Sequence, residues 1–291
     1  MSREIADKRT STGSDSPVVS GMSDGDFNRL RQFIEAELGI RMPPSKRVML
    51  ESRLSRRLRQ LGLQSYGDYA DLVFSPEGSR TELIQMIDAV TTNKTDFFRE
   101  ADHFDYLLNQ LLPSYFPKNG GPLRLWSAGC STGEEAYTLA MVMEEHRRKV
   151  PAFQYSIFAS DISTRVLAQA VNGVYEAEKV ASIPLDYKKR YFLRSKDSSQ
   201  ALVRIKPELR AKIEFRRLNL MDEEYQIPWK FDVIFCRNVI IYFERPVQEG
   251  LIQKLYGALH EGGTLFLGHS ETITGMRVPF RSVAPTVYKK V

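Results

Sequence analysis

The sequence predicts an α/β protein: a small all-α N-terminal domain, then a doubly wound, mostly parallel sheet that carries a small antiparallel β insert. Three observations carry this. Helical periodicity punctuated by capping residues dominates up to about residue 90. Beyond it, short apolar runs alternate with helical patterns, as in a parallel sheet covered on both faces. A polar interval, "LRSKDSSQALVRIKPEL", breaks the alternation and is flanked by the strand-like "RYFLR" and "ALVRI".

The elements follow in order. Residues 1–23, rich in Ser, Thr, Gly and Asp, read as a disordered tail with no apolar signal-peptide core. Residues 24–90 hold four helical patterns: "SDGDFNRLRQFIEAELGI" behind Ser/Asp caps, "PPSKRVMLESRLSRRLRQLGL" behind a Pro-Pro start, "SYGDYADLVF" and "SRTELIQMIDAV". Residues 91–116 form a linker and helix. Residues 117–291 supply five core strands, "LRLWSAG", "YSIFASD", "IEFRRLNL", "FDVIFCRN" and "GTLFLGHSE", with the insert at about 174–206. No apolar run approaches the roughly 20 residues of a membrane span, which places the chain in the cytoplasm. Cys130 and Cys236 have neither metal-type nor disulfide-framework spacing and suit a reducing compartment as small buried residues.

Charge is concentrated. The chain carries a formal charge of +5, and "KRVMLESRLSRRLR" alone sets six cations against Glu51. Helical spacing puts Leu50, Leu54, Leu58 and Leu61 on one stripe, Arg56 and Arg59 opposite, and Arg53 and Arg57 on the shoulder. One face packs, and the other is either a docking surface for an acidic partner or a solvated helix face.

Ligands of doubly wound sheets bind at the carboxyl ends of the strands. After "LRLW" comes the turn "SAGCSTGEE", with Gly129 and Gly133 free to take positive φ. After "YSIFAS" comes Asp161, placed to accept from both hydroxyls of a ribose or to cap the next helix. Asn219-Leu220 and Arg237-Asn238 end the next two strands. A nicotinamide pyrophosphate is poorly served by G-C-S-T-G followed at once by Glu134 and Glu135, whose carboxylates repel it. The same carboxylates complement the helix dipole and attract a cation, so the turn fits S-adenosyl-L-methionine, which has a sulfonium and no phosphate.

Together "TTNKTDFFRE", "WSAGCSTGEEAYTLAM", "FASDIS", "LNL", "FDVIFCRNVIIYF" and "GTLFLGHSE" resemble the bacterial chemotaxis receptor methyltransferases of the CheR type, from about Asp24 to the C-terminus. The resemblance implies a helical receptor-docking domain joined to a Rossmann-like S-adenosylmethionine methyltransferase domain, which esterifies glutamates on chemoreceptor cytoplasmic helices and releases S-adenosyl-L-homocysteine, without a metal. Matched residue by residue, it implies cofactor contacts at Asn93, Thr95, Arg99, Glu135, Asp161, Asn219, Leu220, Arg237 and Asn238, to which the small-residue turn adds Gly129. Arg99 and Tyr242 match the residues placed near the transferring methyl. Arg53, Arg56, Arg57 and Arg59 become the receptor-docking cations. Some members use the insert to hold a peptide from the receptor C-terminus through a glycine-containing loop; "SKDSSQ" has no glycine. A monomer is expected.

The chemistry agrees. A glutamate carboxylate is already a nucleophile at neutral pH, so the reaction needs no general base. The competing classes are a nucleic-acid methyltransferase, which lacks here both the base-methylation motif and aromatics interleaved with the basic stretch, and a non-catalytic cofactor-binding sensor. His103, His146, His260 and His269 have no ligand-type spacing and default to structural roles, with His269 beside the expected crevice.

Overall fold

A computed structural model describes residues 20–114, 121–197 and 199–291. Residues 1–19 of the expected tail and residues 115–116 of the expected linker lie outside the described residues. The chain divides into two compact units, one formed by the chain through Leu30 with Pro43–Met86, the other by Arg31–Met42 with Ile87–Val291. Among the described residues, no helix is long and apolar enough to cross a membrane.

The first unit is helical. It contains the start of α1 (Asp24–Leu38), a 3₁₀ turn at Pro44–Lys46, α2 (Arg47–Leu61), α3 (Tyr66–Phe74) and most of α4 (Gly78–Val90). Ser65 caps α3 by accepting from the Asp68 N–H, and Gly62 ends α2 at φ 70°. Leu50, Leu54 and Leu58 are fully buried as the stripe requires, whereas Leu61, the last residue of α2, is 38% exposed. Arg57 lies on the shoulder of that stripe and turns toward Glu82, donating from Nε at 2.8 Å and from Nη2 at 2.6 Å. The buried Tyr69 hydroxyl donates to the same carboxylate at 3.0 Å.

The second unit is the doubly wound sheet. After α5 (Ala101–Tyr106), a π turn and a 3₁₀ turn, the chain runs through β1 (Leu123–Ala128), α6 (Glu134–Lys149), β2 (Tyr155–Asp161) and α7 (Thr164–Asn172). It continues through β3 (Val174–Glu176), α8 (Leu185–Tyr191), β4 (Phe192–Arg194), β5 (Leu202–Ile205) and α9 (Pro207–Arg210). It closes with β6 (Ile213–Arg217), β7 (Phe231–Cys236), α10 (Arg245–Ala258), β8 (Leu259–Leu267), β9 (Phe280–Ala284) and β10 (Val287–Lys290). The large sheet has the order β6-β2-β1-β7-β8-β10-β9, parallel through β8 and antiparallel at β10 and β9.

Both faces of this sheet are covered, and the strand residues divide between them by simple alternation. Leu125, Ile157, Val233 and Phe266 join one core, and their neighbours Trp126, Phe158, Ile234 and Leu265 join the other. The strand order reverses between β1 and β7, which puts a crevice at their carboxyl ends. The insert is a separate three-stranded antiparallel sheet, β3-β5-β4. Its β3 and the C-terminal pair β9-β10 are additions to the elements expected, because strands of three to five residues are too short to leave an apolar run to read.

Glu82 is the sole carboxylate shared by Arg57 and Tyr69 in these contacts, so Glu82→Ala strands a half-buried cation and a buried hydroxyl. We expect a loss of about 3 kcal/mol by urea unfolding; a loss below about 0.5 kcal/mol would show the group to be an ordinary surface pair.

Candidate active site

Between β1 and α6 the chain must reverse in a few residues, and small side chains make that possible. Gly129 sits at φ 82°, where an added Cβ would fall 2.6 Å from the Val239 Cγ2 atom, and Gly133 sits at φ 95° against Ala170. Four amides of this turn are spent internally. The N–H groups of Gly129 and Cys130 donate to the Ser160 carbonyl at 2.8 and 2.9 Å, that of Gly133 to the Cys130 carbonyl at 2.9 Å. The Ser131 N–H donates to Asp161 Oδ2 at 2.8 Å. A phosphate cradle needs such N–H groups pointing outward. Here those of Gly129, Cys130, Ser131 and Gly133 are satisfied, and the first helical residue, Glu134, is a buried carboxylate held by the Thr132 hydroxyl at 2.6 Å. Burial pushes its carboxyl above the usual range. The site fits a nucleoside without a pyrophosphate.

Asp161 ends β2, is 8% exposed and accepts the Ser163 N–H on Oδ1 at 3.0 Å as well as the Ser131 N–H. Burial pushes its carboxyl up, against the pull of these backbone donors. The cap of α7 is Ser163, whose hydroxyl accepts from the Val166 N–H. The Ile162 N–H is a third backbone donor to this carboxylate, which leaves it acceptor capacity for one more hydrogen bond.

Glu135 is engaged on both oxygens: Ser127 Oγ donates to Oε1 at 2.6 Å and Arg237 Nε to Oε2 at 2.9 Å. Arg237, at the end of β7, has a side chain only 2% exposed. Its Nη2 donates to the Arg99 carbonyl at 2.6 Å, and its Nη1 donates to His103 Nδ1 at 2.9 Å and the Glu100 carbonyl at 3.4 Å. The guanidinium lies over the rings of Phe104 and Phe235. Because a guanidinium can only donate, His103 Nδ1 must accept, which fixes a neutral imidazole with its proton on Nε2, 2.8 Å from Thr286 Oγ1. Burial and the neighbouring Arg237 charge lower the His103 pKa to about 4.

The same contacts hold a strained backbone. Phe98, Glu100, Ser131, Asn238 and Thr286 all have positive φ, between 50° and 58°, at a cost on the order of 1 kcal/mol each. Phe98 and Glu100 flank Arg99, whose Nη1 donates to the Lys94 carbonyl at 3.0 Å. The Asn238 amide donates to Glu100 Oε1 at 3.2 Å. Ligand-capable atoms of Glu100, His103 and His269 come within 4.8 Å of one another, a grouping that sequence spacing did not show. Arg237 already supplies the cation there, 3.7 Å from Glu100 Oε2, and occupies the His103 lone pair.

The remaining expected residues fall around this edge. The Ser131 hydroxyl donates to the Asn93 carbonyl at 2.9 Å, and the Thr95 carbonyl accepts from Lys179. Asn219 uses its amide on the Glu37 carbonyl at 2.8 Å, and the Leu220 carbonyl accepts from Lys254 and Tyr225. Tyr242 ends the 3₁₀ turn Ile240–Tyr242 and is half-buried. A cavity of about 470 Å³ contains Asn93 and Thr95 but none of the other expected cofactor residues; Lys94, Thr132, Glu134, Gln169, Tyr175, Glu176 and Lys179 of its lining face the insert side of the turn. The strand-end residues Asp161, Arg237 and Asn238 lie outside its lining, so the cavity flanks the site. In α2, Arg56 and Arg59 are exposed, whereas Arg53 and Arg57 are half-buried and Arg57 is committed to Glu82.

Two family models match in succession: an all-alpha domain of CheR methyltransferases over residues 25–91 and their S-adenosylmethionine-binding domain over residues 93–289. The chain belongs to the CheR methyltransferase family. It is 39% identical to the chemotaxis protein methyltransferase of Escherichia coli over 267 residues, covering 92% of this chain and 91% of the relative. It is also 40% identical to chemotaxis protein methyltransferase 2 of Pseudomonas aeruginosa, covering 90% and 92%, and 37% identical to the relative in Borreliella burgdorferi, covering 91% and 94%. Within this CheR chain, sequence reasoning did not single out Glu100, His103, Ser127 or Glu271 individually; the only signal for Glu271 was the last letter of "GTLFLGHSE".

His103 gives a pH test with a definite sign. Its pKa is about 4 folded against 6.5 unfolded, so the unfolded chain binds more protons in between and stability contributed by neutral His103 is lost as pH falls through that window. The stability of wild type relative to His103→Gln should drop by about 2 kcal/mol between pH 7.5 and pH 5; a pH-independent difference would contradict the buried neutral imidazole.

Proposed function

We propose that the protein transfers the methyl group of S-adenosyl-L-methionine to glutamate side-chain carboxylates on the cytoplasmic helices of chemoreceptors, leaving S-adenosyl-L-homocysteine. The observation that carries the cofactor is the β1–α6 turn, where the N–H groups of Gly129, Cys130, Ser131 and Gly133 are spent within the protein and the neighbouring Asp161 keeps acceptor capacity for a ribose hydroxyl. The relatives, named as chemotaxis protein methyltransferases along nearly their whole length, support the substrate class.

Bound S-adenosylmethionine supplies an electrophilic methyl on a sulfonium. The task left to the chain is alignment of carboxylate, methyl and sulfur, which can contribute about 7–11 kcal/mol. In this reading Asn93, Thr95, Gly129, Asp161, Asn219, Leu220 and Asn238 line the nucleoside and amino-acid portions. Arg99 and Tyr242 stand near the methyl. Glu135 and Arg237 act mainly on each other and shape the wall. Arg99 orients the incoming carboxylate without gripping it so tightly that its nucleophilicity is lost. The insert exposes β3 and β4 as sheet edges, to which a receptor C-terminal peptide would add as a strand.

The docking role rests chiefly on Arg56 and Arg59, which project from α2 opposite the buried leucines and complement a glutamate-bearing helix. With labelled cofactor and receptor fragments, incorporated methyl should be base-labile and nuclease-resistant. Arg56→Glu with Arg59→Glu should slow this incorporation about tenfold or more at low salt while leaving cofactor affinity intact, and added salt should slow wild type similarly. Wild-type rates for the double variant would reduce these arginines to a solvated face, and base-stable methyl would overturn the ester.

A further inference from the structure

Glu271 is a buried carboxylate that the reaction scheme does not use. It lies four residues beyond β8, is 4% exposed, and closes a short turn by donating its own N–H to the Gly268 carbonyl. Its Oε2 accepts the N–H groups of Gly268 at 2.7 Å and Asn238 at 2.9 Å. Its Oε1 accepts the N–H of Ile241 at 3.3 Å, and the Val239 N–H also bonds the carboxylate. Three of these four donors belong to the loop that follows β7.

Within the loop the N–H groups of Tyr242 and Phe243 close the 3₁₀ turn on the Val239 and Ile240 carbonyls, which leaves those of Asn238, Val239 and Ile241 to find acceptors outside it. Asn238 is at φ 58°, and Val239, which begins the turn, provides no side-chain cap. A carboxylate from the end of β8 therefore collects the N–H groups that a regular element would have satisfied. The fit has no slack on either side. A Cβ on Gly268 would fall 2.5 Å from Asn238 Nδ2 and 2.9 Å from its backbone nitrogen, and Val239 packs against Gly129 of the cofactor turn.

We propose that Glu271 is a positioning residue for methyl transfer: its carboxylate sets the Asn238–Tyr242 loop, and through that loop the Asn238 amide and the Tyr242 phenol. This rests on the reading above that Asn238 meets the cofactor and Tyr242 the transferring methyl. A glutamine would keep the shape but present an NH₂ donor to N–H groups that need an acceptor. An aspartate would keep the charge but withdraw it by one methylene.

Glu271→Gln, and Glu271→Asp should the first not fold, test this by three readouts on the full chain. Amide exchange at Asn238, Val239 and Ile241 should accelerate while β1 and β2 remain protected. Calorimetry should show S-adenosylhomocysteine bound about tenfold more weakly. Turnover at saturating cofactor and receptor should fall about tenfold or more, with KM for receptor unchanged. Wild-type exchange at those amides overturns the proposal, as does accelerated exchange with wild-type affinity and turnover, which would leave Glu271 a purely structural group. Should wild type bind S-adenosylhomocysteine but methylate no receptor, the functional reading fails and the exchange and affinity arms still judge Glu271.

Discussion

The site depends on one desolvated ion pair, Arg237 with Glu135. Taking both charges out of water costs several kcal/mol per ion unless every donor and acceptor is matched. Here each charged nitrogen and oxygen has a partner: one Glu135 oxygen takes Ser127 and the other takes Arg237, while the remaining guanidinium edges reach the carbonyls of Arg99 and Glu100 and the lone pair of His103. A single side chain thus joins the end of β7, the start of α6 and the turn that carries Arg99. A lysine, with a point charge on a flexible stem, could not make these bonds in different directions at once.

The pair also accounts for the strain. Five non-glycine residues in the left-handed region are expensive for one chain, and four of them are tied to this network or to the turn beside it: Glu100 through Arg237, Asn238 through Glu100 and Glu271, Thr286 through His103, and Ser131 through Asp161. A surrounding structure that over-determines such conformations keeps polar groups in place before any ligand arrives. For a reaction whose nucleophile is already ionised, fixed geometry is the main thing a protein can contribute.

Much of this was legible in the sequence because it rests on short-range patterns. The five core strands could be read from apolar runs, since a sheet buried on both faces needs them, and the carboxyl-end residues Asp161, Asn219 and Arg237 followed from where those runs stop. The buried leucine stripe of α2 came from periodicity, but not the inward turn of Arg57, because Glu82 lies 25 residues away on another helix. His103 and Glu271 were hidden for the same reason. Each has its meaning from partners 134 or 33 residues distant, Arg237 in one case and Asn238 in the other. The β9-β10 pair and β3 escaped because their strands are short and partly exposed, leaving no alternation to count.

A double-mutant cycle over Arg237→Met and Glu135→Gln, read by chemical unfolding, tests the central claim most directly. The account predicts that the two losses overlap, with a coupling energy of about 2 kcal/mol or more between the side chains. Additivity within about 0.5 kcal/mol would contradict it, because the two groups would then be held in place independently and the pair would not be what joins the strand ends to the turn bearing Arg99.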